Sequence, residues 1–128
     1  MPLDRIINEA RDQEKGAWLD LVDPVEGKPV GIRLRIAGPD SATAHKARLT
    51  LADDLAAVAG PDGRVGAEGR EKCRKAALAA VVLDWECEEE GKPVPFSTAN
   101  VLRLLSVLWA EEQVDAFAAD RRNFARGA

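Results

Sequence analysis

Residues 76–124 read AALAAVVLDWECEEEGKPVPFSTANVLRLLSVLWAEEQVDAFAADRRNF. They contain two of the three Trp and all three Phe of the 128-residue chain. Because burial of one such ring stabilises a fold by roughly 1.5–3 kcal/mol, these residues must form most of the hydrophobic core or a surface that binds a partner. Nothing in them has the spacing of an active site.

The first part of this stretch predicts a helix that ends inside the core, followed by a short hairpin. The helix runs from about Glu68 to Leu83, and its last turns are apolar on nearly all sides, which is typical of a buried helix end. The acidic turn 88–93 then reverses the chain, so we expect residues 85–87 to pair with residues 94–96. The sequence EGKPV of this turn also occurs at residues 26–30. The repeat indicates either two diverged copies of one unit or two independent turns with the same sequence. The segments before the two copies differ, a predicted helix in one case and a strand in the other, which favours two independent turns.

The end of the stretch predicts two amphipathic helices. Ser97 is the expected N-cap of the first. This helix carries apolar residues at i, i+3, i+4 and i+7, namely Val101, Leu104, Leu105 and Leu108. The second helix is predicted from about Glu111 to Phe124.

The N-terminal part predicts an arm and a hairpin. Leu3 to Lys15 form a short helix with one apolar stripe, which Gly16 ends. A helix of so few turns is only marginally stable by itself. The arm therefore needs a surface to pack against, either on this domain or on a neighbouring subunit. Residues 17–37 alternate between apolar and polar side chains around a Pro- and Gly-containing turn, as a β-hairpin does. A third strand or a helix must cover it.

A further helix is predicted with Asp40 or Ser41 as its cap, running to Val58 and ending at Gly60. The whole chain, 1–128, is therefore predicted to be a single α+β domain, mainly helical, with about four to five helices. Its parts are an N-terminal helical arm (1–16), an N-terminal β-hairpin (17–37) and a helical part (38–128) that includes the short second hairpin.

Composition narrows the class of protein. The net charge of −4 argues against binding to nucleic acid, which depends on neutralising phosphates. No apolar run approaches the ~20 residues of a membrane span, and the N-terminus lacks the pattern of a signal peptide. The two cysteines, Cys73 and Cys87, do not form a C-x-x-C pair, and we interpret them as reduced thiols. These features predict a soluble intracellular protein that acts on neither membranes nor nucleic acid.

Four features of the sequence are candidates for a chemical site. His45 has no partner nearby in the sequence to orient it as a base. Cys73 has cationic neighbours that favour a reactive thiolate, but no nucleophile motif surrounds it. The acidic residues 84–90 lack the spacing of a calcium loop, and the glycines at 60, 63, 66 and 69 lack the context of a phosphate-binding loop. We therefore expect no catalytic residue, no cofactor and no metal ion.

The large apolar side chains of residues 76–124 remain as candidates for binding a partner. Helical spacing places such residues in a core more often than on a surface, but some could line a groove for an amphipathic helix, which is recognised through anchors at i, i+3, i+4 and i+7. The sequence alone does not separate the two roles. The candidates are Trp85, Phe96, Leu104, Leu105, Trp109, Phe117 and Phe124.

The order and spacing of many short motifs resemble the tail assembly chaperones of long-tailed bacteriophages, prophages and gene transfer agents. The resemblance covers most of Ala17 to Phe124, with residues 59–69 unmatched. Its N-terminal motifs are a tryptophan strand, Asp23-Pro24, Gly27, a second strand, and Gly38-x-Asp40-Ser41 opening a helix. Its C-terminal motifs are Leu83-Asp84-Trp85-Glu86, the turn with Gly91, Val94-Pro95-Phe96-Ser97 with Asn100, Leu104-Leu105, Trp109, Gln113-Val114, and Asp120 through Phe124.

The resemblance implies a non-enzymatic role in virion assembly. Such chaperones bind the long helical tape measure protein, keep it soluble in the host cytoplasm, and are absent from the mature virion. They help to recruit the tail tube protein, directly or through a longer form made by frameshifting. Self-association of the chain would suit the coating of so long a partner.

Two other functions fit the same sequence. The first is a structural protein of the virion, such as a head–tail connector or a tail-completion protein. The second is a small enzyme that uses Cys73 or the acidic turn.

Overall fold

The computed structural model describes residues 1–125 and has the predicted α+β architecture, with five helices and two small sheets. The elements are α1 (Pro2–Asp12), a 3₁₀ turn (Gln13–Lys15), β1 (Ala17–Val22), β2 (Pro29–Ile36), α2 (Ala42–Val58), α3 (Ala67–Ala80), β3 (Val82–Glu86), β4 (Glu88–Glu89), β5 (Lys92–Pro93), α4 (Thr98–Leu105), α5 (Leu108–Ala119) and a second 3₁₀ turn (Arg121–Phe124).

The predicted N-terminal hairpin is confirmed. β1 and β2 pair antiparallel with Leu19 opposite Leu34, and the inward residues Leu21, Leu34 and Ile36 are completely buried. Gly16 ends the arm as expected. Its φ of +73° suits glycine, and a Cβ there would lie 2.8 Å from the carbonyl oxygen of Ile36.

The prediction of a helix as far as Leu83 is wrong. α3 ends at Ala80, and Val82–Glu86 forms β3, which pairs antiparallel with β2 and places Trp85 opposite Leu34. This is the third strand that the hairpin needs. The β-branched side chains of Val81 and Val82 favour the change from helix to strand at this point.

The second hairpin is present, but the prediction that residues 85–87 pair with residues 94–96 is wrong, because Trp85 and Glu86 belong to β3 and the paired strands are residues that were predicted as the turn. Its strands are β4 and β5, and Glu90 and Gly91 between them have φ of 52° and 76°, as in the two-residue turns that suit hairpins. The backbone N–H of Val94 donates to the carbonyl of Cys87 over 2.8 Å. This bond extends the pairing of the two strands by one residue on each side, to Cys87 and Val94.

The last two helices also differ from the prediction in their bounds. Ser97 caps α4 as expected, accepting a hydrogen bond from the backbone N–H of Asn100 at 3.1 Å. The helix ends at Leu105, where the hydroxyl of Ser106 donates to the carbonyl of Arg103. Leu108 therefore starts α5 and does not extend the stripe of α4. α5 stops at Ala119, and residues 121–124 form a 3₁₀ turn.

α5 packs against β1 and hydrogen-bonds the last residue of this edge strand. The side-chain amide of Gln113 accepts from the N–H of Val22 at 3.0 Å and donates to its carbonyl at 2.8 Å. One side-chain amide thus satisfies both backbone groups of Val22 at the edge of the sheet. The core lies between the sheet and helices α2 to α5, and its largest fully buried side chains are Leu21, Leu34, Ile36, Leu105, Val101 and Val114.

Within residues 1–125, no helix is both long enough and apolar enough to cross a membrane.

Candidate partner-binding groove

An open groove of about 770 Å³ lies between the second hairpin and α4. The hairpin wall is formed by Trp85, Cys87, Glu89 and Val94, and Ile32 of β2 adjoins it. The opposite wall is α4 with the two residues that follow it. It is lined by Ala99, Asn100, Leu102, Arg103, Leu104, Ser106 and Val107.

Trp85 joins the sheet to the hairpin wall. The ring is 9% exposed, and its Nε1–H donates to the carbonyl of Val94 over 2.9 Å. Phe96 packs edge-on against it with ring centroids 6.2 Å apart, and Phe96 itself remains 41% exposed. Because Trp85 is both packed and hydrogen-bonded, the groove has a rigid base.

The α4 wall presents one face to the groove and another to the core. Leu104 is half-buried and lines the groove, whereas its neighbour Leu105 is completely buried. Val107 lines the groove and is 42% exposed. The side-chain amide of Asn100 donates to the carbonyl of Pro95 over 2.9 Å, so the segment that joins the hairpin to α4 is held in place.

The thiol of Cys87 is half-buried in the groove. Burial, and secondarily the nearby negative charge of Glu89, raise the pKa of this thiol above its ordinary value. A raised pKa keeps the sulfur protonated near neutral pH, which makes it a poor nucleophile.

The seven candidate residues are divided among several places. Trp85 and Leu104 line the groove, and Phe96 lies beside it. Leu105 is a core residue, so its side chain is not available to a partner in this conformation. Trp109 is half-buried against the core.

The remaining two, Phe117 and Phe124, pack against each other with ring centroids 5.5 Å apart. Phe124 also lines a separate cleft of about 690 Å³ against α1, opposite Ile6 and Ala10. Every residue of α1 is exposed or half-exposed, and Leu3 and Ile6 of its apolar stripe are 61% and 59% exposed.

Sequence reasoning missed several residues of the groove, which are Ile32, Cys87, Val94, Leu102 and Val107. Ile32 lies in the predicted hairpin, whose alternation of side chains does not show that it borders a groove. Val107 was not identified because the first amphipathic helix was predicted to continue to Leu108. The Ser106-Val107 pair, a hydroxyl residue followed by a β-branched one, was the signal that could have placed a helix end there.

The candidate residues for a chemical site lie on different elements. His45 is exposed on α2, and Cys73 is buried in α3 with 6% exposure. Among the described residues, no three His, Cys, Asp or Glu side chains are grouped so that they could hold a metal ion.

No protein-family model matches this chain, and neither a curated protein nor a solved structure matches it.

Proposed function

We propose that this protein is a phage tail assembly chaperone that binds the tape measure protein, keeps it soluble in the host cytoplasm and helps to recruit tail tube subunits. It does so without catalysis and does not remain in the virion. The order of motifs in the sequence suggests this function.

The main structural support for the proposal is the apolar groove beside Trp85. Its lining is mainly apolar and open to solvent, Val107 in that lining is 42% exposed, and Phe96, packed against Trp85, is 41% exposed. Concave apolar sites of this kind are where proteins commonly hold a ligand or a partner segment. An amphipathic helix of a tape measure protein has the apolar stripe that such a groove receives.

The proposal includes self-association through α1. The apolar residues of this helix lie along one stripe and remain largely exposed, among them Leu3, Ile6 and Ile7. A short helix with an uncovered stripe is stabilised by packing against another surface. A second copy of the chain supplies that surface in an assembly that coats a long partner.

Co-expression with the tape measure protein of the same genome tests the function. We compare Val107→Asp with Leu108→Asp. Both positions lie at the start of α5, where an aspartate favours the helix, but only Val107 lines the groove. We expect the wild-type chain and Leu108→Asp to keep the tape measure protein in the soluble fraction and Val107→Asp to lose it. Equal effects of the two variants, with both folded, would contradict binding in the groove.

A further inference from the structure

The hairpin wall of the groove ends in three consecutive glutamates. Glu88 and Glu89 form β4, Glu90 lies in the turn, and all three are exposed. Glu89 lines the groove itself. Glu88 lines an adjoining groove of about 390 Å³ that shares Trp85, Cys87 and Val94 with the first. Glu88 and Glu89 therefore border one groove each, and we call these two residues with the adjacent Glu90 the acidic rim, residues 88–90.

The acidic rim forms no close ion pair within the described chain. Residues 88–90 take part in no ion pair within 4.0 Å among residues 1–125. Lys92 stands opposite Glu89 in the hairpin register, yet it too forms no ion pair there. Glu86, one residue before Cys87, differs because it pairs with Arg33 at 3.2 Å.

The opposite wall, formed by α4, carries one charged side chain, and its charge is positive. Arg103 lines the groove from α4, and its Nη1–H donates to the side-chain oxygen of Asn100 at 3.2 Å. Between Arg103 and the acidic rim the lining is mostly apolar. The groove is thus mainly apolar, with Glu89 of the acidic rim on its hairpin wall and Arg103 on its α4 wall.

We propose that this groove selects a cationic amphipathic helix, whose apolar side chains enter the groove and whose Lys and Arg side chains face the acidic rim. The proposal rests on the proposed function and names the chemistry of the partner segment. Opposite charges speed the encounter and exclude partners of like charge. Apolar anchors at i, i+3, i+4 and i+7 provide the affinity.

Two synthetic peptides of about 18 residues test the charge preference with the intact chain. Both carry leucines at i, i+3, i+4 and i+7. One has lysines beside the leucines and the other has glutamates at the same positions. By fluorescence anisotropy of a labelled peptide, we expect the lysine peptide to bind at least about tenfold more tightly. The difference should shrink when salt rises from about 0.05 M to about 0.5 M. Equal binding of the two peptides would overturn the proposal.

A charge-matched pair of variants separates the acidic rim from the net charge of the protein. One variant combines Glu88→Gln, Glu89→Gln and Glu90→Gln. The control combines Asp4→Asn, Asp53→Asn and Glu68→Gln, which remove the same charge from exposed positions on α1, α2 and α3. We expect the rim variant to bind the lysine peptide about tenfold more weakly and the control to bind it like the wild type. Equal losses in the two variants would overturn the proposal.

The same variants distinguish this inference from the proposed function. Suppose the wild-type chain keeps the tape measure protein soluble and the rim variant does so equally well. The preference for a cationic helix is then overturned, and the chaperone function stands. Suppose instead that the lysine peptide behaves as expected but the wild-type chain does not solubilise the tape measure protein. The chemistry of the groove is then supported, and the chaperone function fails.

Discussion

Leu104 and Leu105 are neighbours in α4 and have different surroundings. Successive residues of a helix point about 100° apart, which turns Leu104 towards the groove and Leu105 towards the core. Leu105 is completely buried among the residues of the core. Its contribution is therefore to stability, whereas that of Leu104 includes the shape of the groove.

We expect Leu105→Ala to lower the free energy of unfolding by about 2–5 kcal/mol, because it removes buried methyl groups and leaves a cavity. Leu108→Ala is the control, since Leu108 is 67% exposed, and should change stability by less than about 0.5 kcal/mol. Urea unfolding followed by tryptophan fluorescence measures both. A loss below about 1 kcal/mol for Leu105→Ala would show that the α4 face has been assigned incorrectly.

At the scale of elements, Asp40 connects three segments that are distant in sequence. Its carboxylate accepts two hydrogen bonds from the guanidinium of Arg121, at 2.8 and 2.9 Å. The side-chain amide of Gln13 donates to the same carboxylate at 3.2 Å, and its oxygen accepts from the backbone N–H of Asp40 at 2.7 Å. The end of the arm, the segment before α2 and the C-terminal 3₁₀ turn are thus held together.

This arrangement predicts a dependence of stability on pH. The hydrogen bonds from Arg121, supported by Gln13, hold the pKa of Asp40 below its ordinary value of 3.8. The carboxylate therefore stabilises the fold above pH 3.8, and this stabilisation is lost as the pH falls through the lower pKa of the folded state. Because the pair is partly exposed, its contribution is at most about 1 kcal/mol.

We expect Asp40→Asn to be less stable than the wild type at neutral pH, and the difference to disappear in acid. Unfolding free energies of the two proteins from pH 7 down to about pH 2 measure this. Other carboxylates with lowered pKa values, including Glu14 and Asp120, are present in both proteins and cancel in the difference. A difference that persists unchanged in acid would contradict the assigned role of Asp40.

Local chemistry made several elements predictable. Ser41 and Ser97 cap α2 and α4, each accepting a hydrogen bond at 3.1 Å from the N–H three residues on, and the alternation of residues 29–36 gives β2. β3 could not be recognised in this way, because the run of Ala, Leu and Val before Trp85 is apolar whether it is helical or extended. Its partner strand is distant in sequence, with Arg33 and Glu86 separated by 53 residues.

The groove was harder to predict than the fold because it, too, depends on contacts between segments that are distant in sequence. Its two walls come from segments whose approach depends on the pairing of β3 with β2. Sequence spacing identified Trp85 and Leu104, which carry large apolar side chains, but not Cys87 or Val107. Which side of α4 faces the core was decided by long-range packing.

At the scale of the whole molecule, the arm and the groove are separate apolar surfaces. α1 and Phe124 border one cleft, and the second hairpin and α4 border the other. A chain with two such surfaces can bind a copy of itself through one and a partner through the other. This separation allows the two interactions to be disrupted independently.

We expect Ile6→Asp to reduce self-association without affecting the groove. Ile6 is 59% exposed in the apolar stripe of α1, where a carboxylate opposes apolar packing. Val25→Asp is the control, because Val25 is 90% exposed in the turn between β1 and β2. Light scattering after size exclusion should give a lower mass for Ile6→Asp than for the wild type and Val25→Asp. The same mass for all three would contradict self-association through α1.

The most direct test of the central claim, that the groove beside Trp85 holds a segment of another chain, uses Cys87 as a probe. This thiol is half-buried in the groove, whereas Cys73 is buried and serves as an internal reference. Mass spectrometry follows the alkylation of each cysteine at a fixed alkaline pH, with and without the tape measure protein bound. We predict that the alkylation rate of Cys87 falls in proportion to the fraction of the chain that is bound, while Cys73 stays unreactive. An unchanged rate at Cys87 in the fully formed complex would contradict the claim.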